Sequence, residues 1–89
     1  MTINQDFILR QVAQEYLLIP VGQAALRIKG MIGLSESGYI IYQTLLQGGD
    51  EEAAAARIME AYDVDEDTAR KDIRDFLKKM SHWGVISEE

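Results

Sequence analysis

The sequence predicts one α+β domain in which three short N-terminal strands precede three α-helices. Three features carry that prediction. The first third alternates short apolar runs with turn residues, the rest shows three-and-four apolar spacing behind hydroxyl or carboxylate caps, and the 89 residues leave room for one core only. At 47% hydrophobic residues with no low-complexity run, the chain has the composition of a folded domain.

The strands come first. Phe7 to Val12 and residues 16–21 are rich in aliphatic and aromatic side chains, and Ala13-Gln14-Glu15 between them suits a tight connection, so the two form a hairpin. Pro20 cannot donate to a ladder and belongs at the strand end or on a free edge. Val21-Gly22-Gln23 turns the chain. Residues 26–34, with Ile28, Met31, Ile32 and Leu34 interrupted by Gly30 and Gly33, read as an imperfect third strand.

Ser35 offers a hydroxyl N-cap to a first helix that carries Tyr39, Ile40, Ile41, Tyr42, Leu45 and Leu46 and stops at Gly48-Gly49. Its apolar residues cover most of the circumference, as in a central helix. Asp50 caps a second helix whose Ala55, Ile58, Met59 and Tyr62 share one face, with Glu51 and Glu52 well placed in the first turn. Asp65 caps a third helix over residues 66–83, ended by Gly84. At about 100° per residue, Ala69, Ile73, Phe76, Leu77, Met80 and Trp83 form one stripe there; Arg70, Arg74 and Lys78 follow one border of it, and Thr68, Asp72 and Lys79 the other. Val85 and Ile86 return apolar area to the core. Strands followed by helices in this order are related to winged helix-turn-helix folds.

Composition removes several functions. With no cysteine, disulfides, thiolate chemistry and cysteine-ligated zinc are absent. The apolar runs are too short to cross a bilayer and residues 1–6 lack a secretory pattern, so a cytoplasmic protein with no membrane contact is expected. A net charge of −6 disfavours nucleic acid, whose affinity rests on phosphate neutralisation. The charge is uneven: residues 50–67 hold eight acids and one base, residues 70–79 five bases and two acids. His82, the one histidine, reads as a solvated residue at a helix C-terminus rather than a base. The acidic run at residues 63–67 lacks the glycine and terminal glutamate of a calcium loop, and the glycines fit no phosphate or dinucleotide motif. Neither catalysis nor a cofactor is expected.

Glu15-Tyr16-Leu17-Leu18-Ile19-Pro20, Gly33-Leu34-Ser35-Glu36-Ser37-Gly38, Gly48-Gly49, Tyr62-Asp63-Val64, and Asp72-Ile73 through Phe76-Leu77 to Gly84-Val85-Ile86 together resemble the PqqD family, the recognition elements of ribosomal peptide biosynthesis. In the second segment serines replace the family's usual asparagine and threonine and retain a cap. The resemblance covers nearly the whole chain and rests on the linear combination of segments. It implies that the leader of a precursor peptide adds as a strand to the third strand, in the groove between it and the third helix. The domain would then present the core peptide to a modifying enzyme, radical SAM enzymes among the candidates. On this reading Ile28, Lys29, Met31, Ile32 and Leu34 form the edge, Ile73 and Leu77 the apolar floor, and Arg70, Arg74 and Lys78 a cationic wall for leader carboxylates.

The same cations have a plainer reading, since Arg70 and Arg74 can pair with Glu66, Asp67 or Asp75 on the helix surface. Two other functions compete. A winged-helix DNA-binding regulator fits the element order but not the charge, and a salt-dependent gel shift with duplex DNA distinguishes it. An acyl carrier protein fits the size and acidity, but the aspartate-serine-leucine attachment motif is missing and the opening hairpin is wrong. An exposed edge also invites self-pairing, so monomer and dimer both remain open.

Overall fold

A computed structural model describes residues 1–87. In chain order it holds β1 (Thr2–Ile3), β2 (Phe7–Val12), β3 (Glu15–Pro20), α1 (Gly22–Arg27), β4 (Ile32–Leu34), α2 (Glu36–Leu46), α3 (Glu51–Ala61), α4 (Glu66–His82) and β5 (Ile86–Ser87). The predicted α+β class, a three-stranded sheet followed by helices, is what forms. The sheet runs β2-β3-β4 with both pairs antiparallel, so β4 is an edge strand. A second, two-stranded ladder joins β1 to β5.

The three long helices begin where their caps lie. Ser35 Oγ accepts from the Gly38 amide at 3.1 Å, Asp50 Oδ1 from Ala53 at 2.9 Å and Asp65 Oδ1 from Thr68 at 2.8 Å. Each bond satisfies an amide that a helix start leaves unpaired, and the bond to Thr68 holds the Asp65 carboxyl below its ordinary pKa. The core collects Phe7, Leu18 and Ile32 from the sheet, Ile41, Tyr42 and Leu45 from α2, Ala54, Ala55 and Ile58 from α3, and Ala69, Ile73, Leu77 and Met80 from α4; Val85 and Ile86 close it. Tyr16 stacks on Tyr39 with ring centroids 3.9 Å apart, which joins β3 to α2.

Three expectations change. The third strand is confined to Ile32–Leu34, because Leu26, 76% exposed, and Arg27 end the short helix α1, and Ile28, Lys29 and Met31 lie in an irregular connection that turns at Gly30 with φ 104°. The cap of α1 comes from a distance. Val21, at its N-cap, makes no side-chain bond, and the carboxylate of Asp6 accepts from the Gln23 amide at 3.1 Å instead. Met59 and Trp83, placed on buried stripes by periodicity, are 40% and 38% exposed, since each lies at the margin of its helix face. Leu46 is likewise exposed, at the end of a helix whose buried side is otherwise as expected.

Asn4 ties the chain ends together. Its amide donates to Val85 O at 2.8 Å and its Nδ2 to Gly84 O at 3.0 Å, while its Oδ1 accepts from the Asp6 amide at 2.9 Å. Asp6 is thereby oriented toward α1. Asp6→Ala should cost about 1 kcal/mol, the usual effect of losing a cap, in chemical denaturation, with faster amide exchange confined to α1. A change spread over all the helices would contradict the local role.

The Tyr62 hydroxyl donates to Glu36 Oε1 at 2.7 Å, bridging the end of α3 to the start of α2. That bond, with burial and the Glu36 charge, pushes the phenol up to about 12. A proton held more tightly by the folded than the unfolded chain stabilises the fold in full below the unfolded value of about 10. The contribution is lost as pH rises through about 12. In an ultraviolet titration Tyr62 should ionise late and Tyr62→Phe should remove that late step; a Tyr62 that titrates with an ordinary phenol would mean that the bond to Glu36 does not form in solution.

Candidate functional site

The outer edge of β4 faces α4 across a hollow of about 250 Å³ lined by Gly33, Leu34, Ser35, Ser37, Gly38, Ile41, Asp72, Asp75, Phe76, Lys79 and Met80. This lies below the roughly 300–1,000 Å³ of small-molecule pockets. Along the strand, Ile32 is buried, Leu34 half-buried and Gly33 exposed. A β-carbon built on Gly33 meets nothing within 4 Å, so no protein atom crowds the middle of the edge. A second hollow continues the first toward the end of α4, lined by Arg27, Ile28, Lys29, Met31, Ile32, Gly33, Lys79 and Trp83.

Five of the expected site residues, Ile28, Lys29, Met31, Ile32 and Leu34, thus lie along one groove. Met31 presents its side chain to solvent, 59% exposed. The five expected on α4 do not join them. Ile73 and Leu77 are each 2% exposed and belong to the core; the apolar surface facing β4 is half-buried Phe76, backed by the buried Met80 and by Ile41 of α2. Arg70 pairs with Glu66 at 2.8 Å, and Arg74 and Lys78 line a hollow with Glu51, Leu77 and Ser81 on the α3 side of the helix. The cationic border therefore faces away from β4. Of the two borders of the buried stripe, Asp72, Asp75 and Lys79 are the one that reaches the edge strand. Spacing groups residues into borders but does not say which neighbour each border meets.

Gly38 is the position that sequence reasoning undervalued. It lies in the first turn of α2, where a β-carbon would come within 3.2 Å of Phe76 Cε1 and 3.3 Å of Ser35 Oγ. The bare α-carbon lets the Phe76 ring lie against α2 and keeps the groove open. Its place after Leu34-Ser35-Glu36-Ser37 was the available signal.

Among the described residues, no cluster of acids or histidine suits a metal ion, and no helix is long and apolar enough to cross a membrane. The exposed side of α4 has mixed sign rather than a basic stripe: Asp72 and Asp75 stand among its cations, and Asp75 holds Lys71 at 2.9 Å.

A family model described as coenzyme PQQ synthesis protein D (PqqD) matches residues 15–86, from the start of β3 into β5. The chain belongs to the PqqD family. The match takes in the edge strand, the whole of α4 and Gly38, which places the groove inside the family's own segment. No curated protein sequence matches the chain. Among solved structures, TbiB1 in complex with the TbiA(beta) leader peptide superposes with a TM-score of 0.83 at 24% identity, covering 100% of this chain and 98% of that one. A lasso peptide synthetase B1 complexed with the leader peptide gives 0.79 at 19% identity over 94% and 93% of the two chains. At these identities the likeness establishes a shared fold.

In a PqqD domain built this way, Gly38→Ala should gain helix propensity, roughly 1 kcal/mol for a helical glycine, while pushing Phe76 toward β4. The expected outcome is near-unchanged thermal stability with shifted Phe76 ring resonances. Unmoved Phe76 signals would show that the ring does not depend on the missing β-carbon.

Proposed function

We propose that this domain binds the leader of a ribosomally made precursor peptide by strand addition to β4 and presents it to a separate modifying enzyme, making no bond itself. The observation that carries the reading is the position of β4 at the sheet edge, open at Gly33 and faced by α4, in a chain of the PqqD family. An edge strand offers unpaired backbone groups to any extended segment. Main-chain bonds then supply affinity, and the pockets beside them supply specificity. The two solved structures similar in fold were both determined with leader peptides, which supports the same use of this one.

The site comprises Ile28, Lys29, Met31, Ile32 and Leu34 along the strand side, with Asp72, Phe76 and Lys79 opposite. Function follows from raised local concentration: an enzyme docked beside the domain meets the core peptide without having to bind it tightly. Radical SAM enzymes are one candidate class for that enzyme, and the proposed place of action is the cytoplasm.

Trp83, the one tryptophan, lines the groove and reports occupancy through its fluorescence. Titration with the leader encoded beside this gene should change that fluorescence, shift the amides of residues 31–34 and of Phe76 and Lys79, and slow exchange along β4. Arg74→Glu should leave the affinity within about twofold, as for an exposed charge outside the contact, whereas a tenfold loss would return the cationic border to the site. A leader that leaves β4 unmoved at saturating concentration would remove strand addition as the function.

A further inference from the structure

The two hollows beside β4 share Gly33 and Lys79 and so form one groove, whose ends carry opposite charge. Asp72 and Asp75 stand at the end beside Leu34 and Ser35. Arg27 and Lys29 stand at the end beside Met31 and Ile32, and Lys79 marks the junction. Asp75 is engaged with Lys71, but among the described residues Asp72, Lys29 and Lys79 enter no ion pair. Half-buried Phe76 lies between the acids and Lys79 on the helix side. On a protein of net charge −6, a cationic groove end is a local exception.

Resting on the leader-binding reading above, we propose that the groove selects a dipolar strand, with a basic residue at its N-terminal end, an apolar residue over Phe76 and an acidic residue at its C-terminal end. The direction comes from the sheet. Both existing pairs are antiparallel, and antiparallel pairing is the more stable per residue. β4 runs from Ile32 at the basic end to Leu34 at the acidic end, so an antiparallel strand begins beside Asp72 and finishes beside Lys29.

The spacing comes from α4. Asp72 and Lys79 lie about 10 Å apart along the helix axis at ~1.5 Å per residue, about three residues of strand at ~3.4 Å each. Lys29 extends the basic end further. Side chains that face α4 come from alternate residues, which puts the base at i, the apolar residue at i+2 and the acid at i+4. Reversing that order sets like charge against like at both ends. A second copy of this chain is a poor occupant, because Ile32-Gly33-Leu34 carries no charge to answer either end.

The test pans a random dodecapeptide phage library on the full domain, then measures an enriched peptide and its charge-swapped form by calorimetry. Enriched sequences should place Lys or Arg four residues before Asp or Glu, and the swapped peptide should bind about tenfold more weakly, as expected for two partly exposed pairs turned repulsive. Asp72→Lys with Asp75→Lys should abolish the preference for the base and keep that for the acid. Equal affinity of the two peptides, while Gly33 and Phe76 resonances still shift, would overturn the charge order and leave strand addition standing. Enriched peptides that leave those resonances unmoved, or a library with no groove binder, would overturn both.

Discussion

The burial of one line of α4, through Ala69, Ile73, Leu77 and Met80, is the constraint on which the rest of the molecule depends. Each of these side chains removes apolar surface from water at about 25 cal/mol per Å², and together they fix the rotation of the helix about its axis. Once that rotation is fixed, one border must meet α3 and the other must meet the open edge of β4. The groove is therefore a consequence of core packing. Its charge pattern is whatever the sequence places at Asp72, Asp75 and Lys79.

The other wall depends on the start of α2. Ser35 caps that helix, Glu36 reaches Tyr62 at the end of α3, and Tyr39 stacks on Tyr16 of β3. Three neighbouring residues thus tie the helix start to its own backbone, to α3 and to the sheet. Gly38 sits in the same turn and gives Phe76 its space. A short stretch of chain so fixes both the strand edge and the aromatic surface opposite it.

What was legible in the sequence was local. The caps Ser35, Asp50 and Asp65, the stop at Gly84 and the hairpin all depend on residues within a few positions of one another; the caps and the stop lie where the pattern puts them, and the hairpin forms with Glu15 in its second strand, paired to Val12, rather than in the turn. α1 was not legible, because its cap, Asp6, lies 17 positions before the amide it binds and six residues are too few to show a helical period. The α4 side of the site was legible only in part. Periodicity sorted Arg70, Arg74 and Lys78 from Asp72 and Lys79, but which set meets β4 depends on how the helix packs in three dimensions. The strand side was clearer, since Gly33 and Leu34 adjoin the capped turn in sequence.

The Asn4 bonds to Gly84 and Val85, with the pairing of Thr2 and Ile3 against Ser87 and Ile86, bring the entry and exit of the polypeptide side by side. Domains with neighbouring ends tolerate circular permutation and insertion. A host protein could splice this fold into one of its surface loops through a single seam, and the tethered unit would keep its own register and its own open strand. The same closure suits the fold equally to standing alone or to sitting inside a longer chain.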